Sequence, residues 1–160
     1  MSGMEIERKF LVKGDSYRRQ ARSSSHIRQG YISSAGRCTI RVRTRDDEAF
    51  LTIKGPSLDG GLSRYEFEKA ITKDEAGHLM HLCEPGIIDK TRFLVDCGDH
   101  TFEVDEFHGD NDGLVVAEVE LGSVDEAYEK PDFIGEEVTG IRRYYNSHLR
   151  RNPYRLWKDE

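Results

Sequence analysis

Charged residues fall along this chain at i and i+2, in pairs of one sign separated by an apolar or small residue. The pairs are Glu5 and Glu7, Arg41 and Arg43, Glu66 and Glu68, Lys90 and Arg92, Glu103 and Asp105, and Glu118 and Glu120. Successive side chains of a β-strand point to opposite faces, so each pair projects from one face while Ile6, Val42, Phe67, Val104 and Val119 project from the other. An ordinary solvent face mixes signs within a strand and uses Ser, Thr and Gln as filler. Here acids and bases are sorted strand by strand, the pattern expected of a built site for a polyanion and a metal.

Alternation of this kind predicts strands over Glu5–Val12, His26–Ile32, Thr39–Thr44, Phe50–Lys54, Tyr65–Ile71, Thr91–Val95, Thr101–Phe107 and Val115–Leu121. Short polar turns such as Arg45-Asp46-Asp47-Glu48 make neighbouring strands antiparallel hairpins. Helices are fewer. Asp15 is expected to cap a short one running to Arg22, and Thr72 to open another that turns Leu79, Met80 and Leu82 toward the core. Ser123 and Glu126 have capping-box spacing and predict a helix ending near Pro131, and a last helix is expected over Arg142–Leu149. With no repeat or linker, the chain reads as a single α+β domain over residues 1–160 with its core at about 4–149.

Two packings satisfy eight antiparallel strands with one apolar and one charged face. Apolar faces turned inward give an ordinary barrel. Apolar faces turned outward under the helices leave the charges lining an interior, which stays open only around water, metal or ligand. Sign sorting favours the second. The inner face then carries eight acids (Glu5, Glu7, Glu66, Glu68, Glu103, Asp105, Glu118, Glu120) and six bases (Lys9, Arg41, Arg43, Lys54, Lys90, Arg92). Buried charge is costly unless paired or metal-bound, so the carboxylates are expected to crowd a divalent cation and the bases an anion.

Composition limits the function classes. The net charge of -6 argues against broad nucleic-acid binding, and no stretch approaches an apolar membrane span. Cys38, Cys83 and Cys97 form no CxxC pair and read as buried thiols in a reducing cytoplasm. The six histidines never take ligand spacing with a second His or Cys. Gly55 and Gly60 have the spacing of a phosphate loop, but Gly61-Leu62 replaces the required Lys-Ser/Thr, so that segment is a hairpin turn. The basic tail with Tyr154 and Trp157 is expected to pack on the barrel.

Glu5-Ile6-Glu7-Arg8-Lys9 is an E-x-E-x-K motif. It is followed in order by Gln29-Gly30-Tyr31, Arg41-Val42-Arg43, Leu51-Thr52-Ile53-Lys54-Gly55, Arg64-Tyr65-Glu66-Phe67-Glu68, Lys90-Thr91-Arg92, Glu103-Val104-Asp105, Glu118-Val119-Glu120-Leu121 and Glu137-Val138-Thr139-Gly140. This series resembles the CYTH domain family, the triphosphate tunnel metalloenzymes, over about residues 4 to 149. The resemblance implies an eight-stranded antiparallel barrel forming a hydrophilic tunnel, with bases for a triphosphate and acids for Mg2+ or Mn2+, two divalent ions being expected.

By the same resemblance Glu5, Glu7, Asp105, Glu118 and Glu120 are metal ligands, with Glu66, Glu68 and Glu103 as supporting acids. Lys9, Arg41, Arg43, Lys54, Lys90, Arg92 and a C-terminal arginine, Arg143 or Arg142, bind substrate, and Lys9 with Tyr31 forms a dyad that orients the attacking water. The expected activity is hydrolysis of inorganic triphosphate to pyrophosphate and phosphate. Thiamine or nucleoside triphosphatase, class IV adenylyl cyclase and a non-catalytic polyphosphate binder are the alternatives. Two departures matter. Ile141 follows Gly140 where bacterial relatives carry an aspartate, and Ser2-Gly3-Met4 lacks the His-Phe extension common in the cyclases. The expected partner is the small-molecule triphosphate, with no nucleic acid and no membrane, and a homodimer as the default assembly.

Overall fold

The structure, a computed structural model, describes residues 3–33 and 37–157. Nine strands carry the fold: β1 (Gly3–Val12), β2 (Ser23–Ser33), β3 (Thr39–Arg45), β4 (Glu48–Lys54), β5 (Ser63–Ile71), β6 (Ile88–Cys97), β7 (His100–Phe107), β8 (Val115–Glu120) and β9 (Ile134–Glu137). They are hydrogen-bonded in the order β5-β4-β3-β2-β6-β7-β8-β1-β9, and a further pairing of β5 with β1 closes the first eight into an antiparallel barrel.

Closure depends on one strand. β1 lies against β5 through Gly3–Ile6, then against β8 through Glu7–Leu11. β9 attaches to the far end of β1 at Phe10 and Val12, across a register shift. This ninth strand was not anticipated from the sequence, being only four residues long and carrying no alternation.

The barrel is apolar on the outside. Phe10, Val95, Phe102, Val104, Ala117 and Val119 form a core on the outer faces of β1, β6, β7 and β8, with Tyr17 and Phe133 packed over them. A second cluster joins Ile88, Phe107 and Val116 to Tyr144, Leu149 and Trp157 of the C-terminal segment. A third sets Val42 and Ala49 against Ala76 of α2 (Lys73–Met80). Ile88, Phe107 and Val116 share strand parity with Lys90, Asp105 and Glu118, so the second cluster plugs one end of the interior, and the remainder is left to charge.

Helices α1 (Tyr17–Gln20) and α2 occur near the expected places, with differences. Ser16, not Asp15, occupies the N-cap of α1, and its side chain makes no capping bond. Thr72 caps α2 through a reciprocal box with Glu75, whereas Leu82 lies beyond the helix end and is 67% exposed.

No helix forms over 123–131. Glu126 there accepts from the Gly122 amide and pairs with His100, and Ser123 Oγ donates to Asp125, so the box residues are bonded elsewhere. The last helix is broken as well. A 3-10 turn over Arg142–Tyr144 is separated from α3 (Asn146–Leu149) by Tyr145, whose ψ of 136° is extended. Trp157 packs edge-on to Tyr144 and Tyr154 at 5.3 and 5.2 Å between ring centroids, as the basic tail was expected to do. The cysteines are free, but Cys38 is exposed and the other two are only half-buried, since none lies on a fully covered face.

Candidate active site

A cavity of about 390 Å³ occupies the barrel interior. Parity builds it. Glu5, Glu7 and Lys9 from β1 enter it together with Arg41, Arg43 and Arg45 from β3 and Arg64, Glu66 and Glu68 from β5. Lys54, Lys90, Arg92, Glu103, Glu118, Glu120 and Tyr31 complete the walls. Every expected acid and base therefore lines one space, except Asp105 and Arg143.

The bases are deeply placed. Lys9, Arg41, Arg43, Lys54, Lys90 and Arg92 are all 9% exposed or less. Some are matched to carboxylates: Lys54 Nζ is 2.9 Å from Glu5 Oε1 and 3.6 Å from Glu66, and Lys9 Nζ is 3.6 Å from Glu118. Arg41 and Arg43 are less well satisfied. Arg41 reaches only the Thr52 hydroxyl at 3.5 Å, Arg43 stands 3.6 Å from Glu68, and both Nε donors are buried without a hydrogen-bond partner among the described residues. Burial, with Arg41 and Arg92 beside it, pushes the Arg43 guanidinium down to about 9. Two deeply placed guanidinium groups that line the cavity with no carboxylate closer than 3.6 Å among the described residues form a ready anion site.

Asp105 sits behind this wall. Its carboxylate accepts two bonds from Arg92, at 2.8 and 2.9 Å, and lies 2.8 Å from Lys90 Nζ. Burial would raise it, but Arg92 and Lys90 outweigh burial and hold it down to about 2. Burial, reinforced by Arg92, brings Lys90 down to about 7 against the pull of Asp105. With its oxygens engaged by Arg92 and Lys90 and no face on the cavity, Asp105 holds those two bases in position from behind the wall.

The acids show the converse strain. Glu7 is raised well above the usual carboxylate range by burial and by Glu118 and Glu5. Burial would also raise Glu118, but Lys9, the hydrogen bond shared with Glu7, and Arg92 and Lys90 carry it well below. The two neighbouring carboxyls are thus pushed in opposite directions. Glu120 is raised by burial and by Glu5, Glu103 and Glu66, and Glu66 is raised by burial and by Glu5. Like charges in one space disfavour ionisation, and a divalent cation among them would restore it. No three His, Cys, Asp or Glu side chains converge as a finished metal cage among the described residues. The donor set itself, all carboxylate oxygen, fits a hard cation.

Tyr31 lies in the wall with its hydroxyl 2.8 Å from the Gln29 side-chain nitrogen. Lys9 donates to the Tyr144 carbonyl at 3.3 Å. Both face the cavity, and no hydrogen bond joins them. Arg143 lies outside, its guanidinium 4.6 Å from the Trp157 ring centroid and 5.3 Å from that of Tyr144.

Other residues take that place. Thr139, Gly140, Tyr145, Asn146 and Ser147 close the end of the cavity, with Asn146 accepting from Lys90 Nζ at 2.8 Å. Arg64 and Arg45 were legible by parity, as residues two positions from Glu66 and Arg43, but were not assigned to the site. Tyr145 and Asn146 had no such signal, since they enter from a broken turn.

Ile141 is 44% exposed and does not line the cavity, although its neighbour Gly140 does.

Comparison with known proteins agrees with this geometry. The family model described as CYTH domain matches residues 3–148. An inorganic triphosphatase of Acetivibrio thermocellus is 46% identical over 158 residues, covering 98% of this chain and 99% of the relative. One from Nitrosomonas europaea is 36% identical over 149 residues, covering 91% and 95%. A solved structure described as an inorganic triphosphatase superposes with a TM-score of 0.64 at 33% identity, covering 91% of this chain and 93% of that one.

Proposed function

Since the chain belongs to the CYTH domain family, we propose that it is an inorganic triphosphatase, a metal-dependent hydrolase that converts tripolyphosphate and water to pyrophosphate and phosphate. The observation that carries this reading is the pair of deeply placed guanidinium groups, Arg41 and Arg43, lining the cavity with no carboxylate closer than 3.6 Å among the described residues. Their forks match phosphate oxygens two at a time, while Lys54, Lys90 and Lys9 add point charge along the wall. The polyanion so gripped is straightened across the barrel, with its terminal phosphorus facing the acids.

Glu5, Glu7, Glu118 and Glu120 would hold divalent metal, Mg2+ or Mn2+ and two ions in our reading. When bound, it supplies charge neutralisation at the phosphate oxygens and at the attacking water. The chain's own residues do the rest. Lys9 stands 3.6 Å from Glu118, and Asp105 fixes Arg92 and Lys90 at the basic wall. Lys9 and Tyr31 orient water toward the terminal phosphorus, with Tyr31 held by Gln29. Water oxygen bonds to phosphorus as the bridging P–O bond breaks, the electron pair of that bond leaves with pyrophosphate, and the proton lost by water passes to solvent. Catalysis is positioning and charge stabilisation throughout. Three free thiols suit a reducing, cytoplasmic setting.

The test is a purified-protein assay with tripolyphosphate, thiamine triphosphate and ATP, run with Mg2+ and with Mn2+. Tripolyphosphate is expected to be the preferred substrate and to yield equal pyrophosphate and phosphate, with no turnover in a chelator. Glu5→Gln and Arg43→Ala are each expected to lower turnover by at least about 100-fold while the protein stays folded by circular dichroism. Near-parental activity in either variant, or cyclic AMP as the main product from ATP, overturns the assignment.

A further inference from the structure

The closed end of the cavity is built around one aromatic side chain. Tyr145 is the extended residue between a 3-10 turn and α3, and its ring turns into the cavity instead of following a helix face. Lys9 Nζ lies 5.3 Å from the ring centroid and Arg64 Cζ lies 5.7 Å from it. Both are cation–π distances.

The ring has little freedom. His148 packs edge-on to it at 5.9 Å between centroids. At the hydroxyl end stands Gly61, where an added Cβ would come within 3.0 Å of the Tyr145 oxygen and 2.5 Å of Gly140 Cα. Gly61 has φ of +97°, so both its backbone and its lack of a side chain fit the ring's position.

Lys9 and Arg64 each have a competing partner. Glu118 is 3.6 Å from Lys9 and Glu5 is 3.9 Å from Arg64, longer than a hydrogen-bonded ion pair in both cases. An aromatic face attracts a cation without cancelling its formal charge, so it can hold a base in place and leave that charge for an anion. A carboxylate in the same position would neutralise the base.

We propose that Tyr145 is a positioning residue, holding Lys9 and Arg64 off the carboxylates Glu118 and Glu5 and toward the bound polyanion. It also assigns Arg64 to the phosphate-binding set. The inference rests on the triphosphatase reading of the cavity. Without the ring, both bases close on their carboxylates, which removes two charges from the anion site and occupies two acids at once.

Tripolyphosphate affinity, measured by calorimetry without divalent ions, tests this in the intact protein. Tyr145→Phe is expected to keep most of the parent's affinity, and Tyr145→Leu to weaken it on the order of tenfold. Leucine is expected to add no weakening in a Lys9→Met, Arg64→Met background. Tyr145→Gln serves the same comparison if the leucine variant does not fold.

Steady-state kinetics of the leucine variant should show KM raised more than kcat is lowered. The proposal is overturned by parental affinity in Tyr145→Leu, by a phenylalanine variant as weak as leucine, or by undiminished weakening in the double background. Failure of the parent itself to bind tripolyphosphate overturns the triphosphatase reading and this inference with it.

Discussion

Asp105 illustrates how a single buried acid can serve a site without facing it. Its carboxylate, held at about 2 by Arg92 and Lys90, stays ionised wherever the protein is folded. The folded value lies below the ordinary 3.8, so the stability it contributes is present above pH ~4 and lost as pH falls from ~4 to ~2. The loss expected is about 2 kcal/mol, from 1.36 kcal/mol per pH unit. Urea unfolding across that range should show this acid limb in the parent and a flattened limb in Asp105→Asn. A parent curve without the limb would mean that the Arg92 pair does not hold in solution. The sequence placed Asp105 on the inner face by parity, but parity cannot distinguish a side chain reaching the cavity from one stopped by two neighbouring bases. Arg64 is the opposite case, fully legible by the same rule. Tyr145 had no periodic signal at all, because a residue between two short turns has no face.

Among the elements, strands were legible and their covering segments much less so. Alternation reports a two-faced environment directly, and all eight barrel strands lie where it put them, to within a few residues. Capping motifs report only a local option. Thr72 and Glu75 take theirs, because the helix they open can bury Ala76 on the barrel. Ser123 and Glu126 decline it, because Glu126 finds His100 and the Gly122 amide while Tyr128 packs 6.2 Å from Phe10. Tertiary partners outweigh a capping box worth about 1 kcal/mol. Thr72→Ala should therefore lower unfolding free energy by about 1 kcal/mol in a denaturant titration. Turnover should stay within about twofold, since α2 touches only the outer wall; a large activity loss would show that the outer cluster transmits to the interior.

For the whole molecule, most of the apolar material is a rind around charge, with one apolar plug where the C-terminal segment meets the barrel. Heat capacity of unfolding rises with apolar surface exposed and falls with polar surface exposed. A chain of 160 residues with an ordinary core should show about 2 kcal/mol/K. This protein should fall clearly below that by scanning calorimetry, since its centre releases charged groups instead. A value at or above about 2 kcal/mol/K would mean a drier interior than the cavity implies.

The strand that closes the barrel also has a consequence for how errors show. β1 holds β5 and β8 together with the same residues that put Glu5, Glu7 and Lys9 inside. A slip of one position would turn those three outward and bring Ile6 and Arg8 in. Such a molecule could still close its ring, but its cavity would have lost Glu5, Glu7 and Lys9. The E-x-E-x-K motif is thus also a proofreading mark for assembly, and turnover should report whether the seam has closed in register.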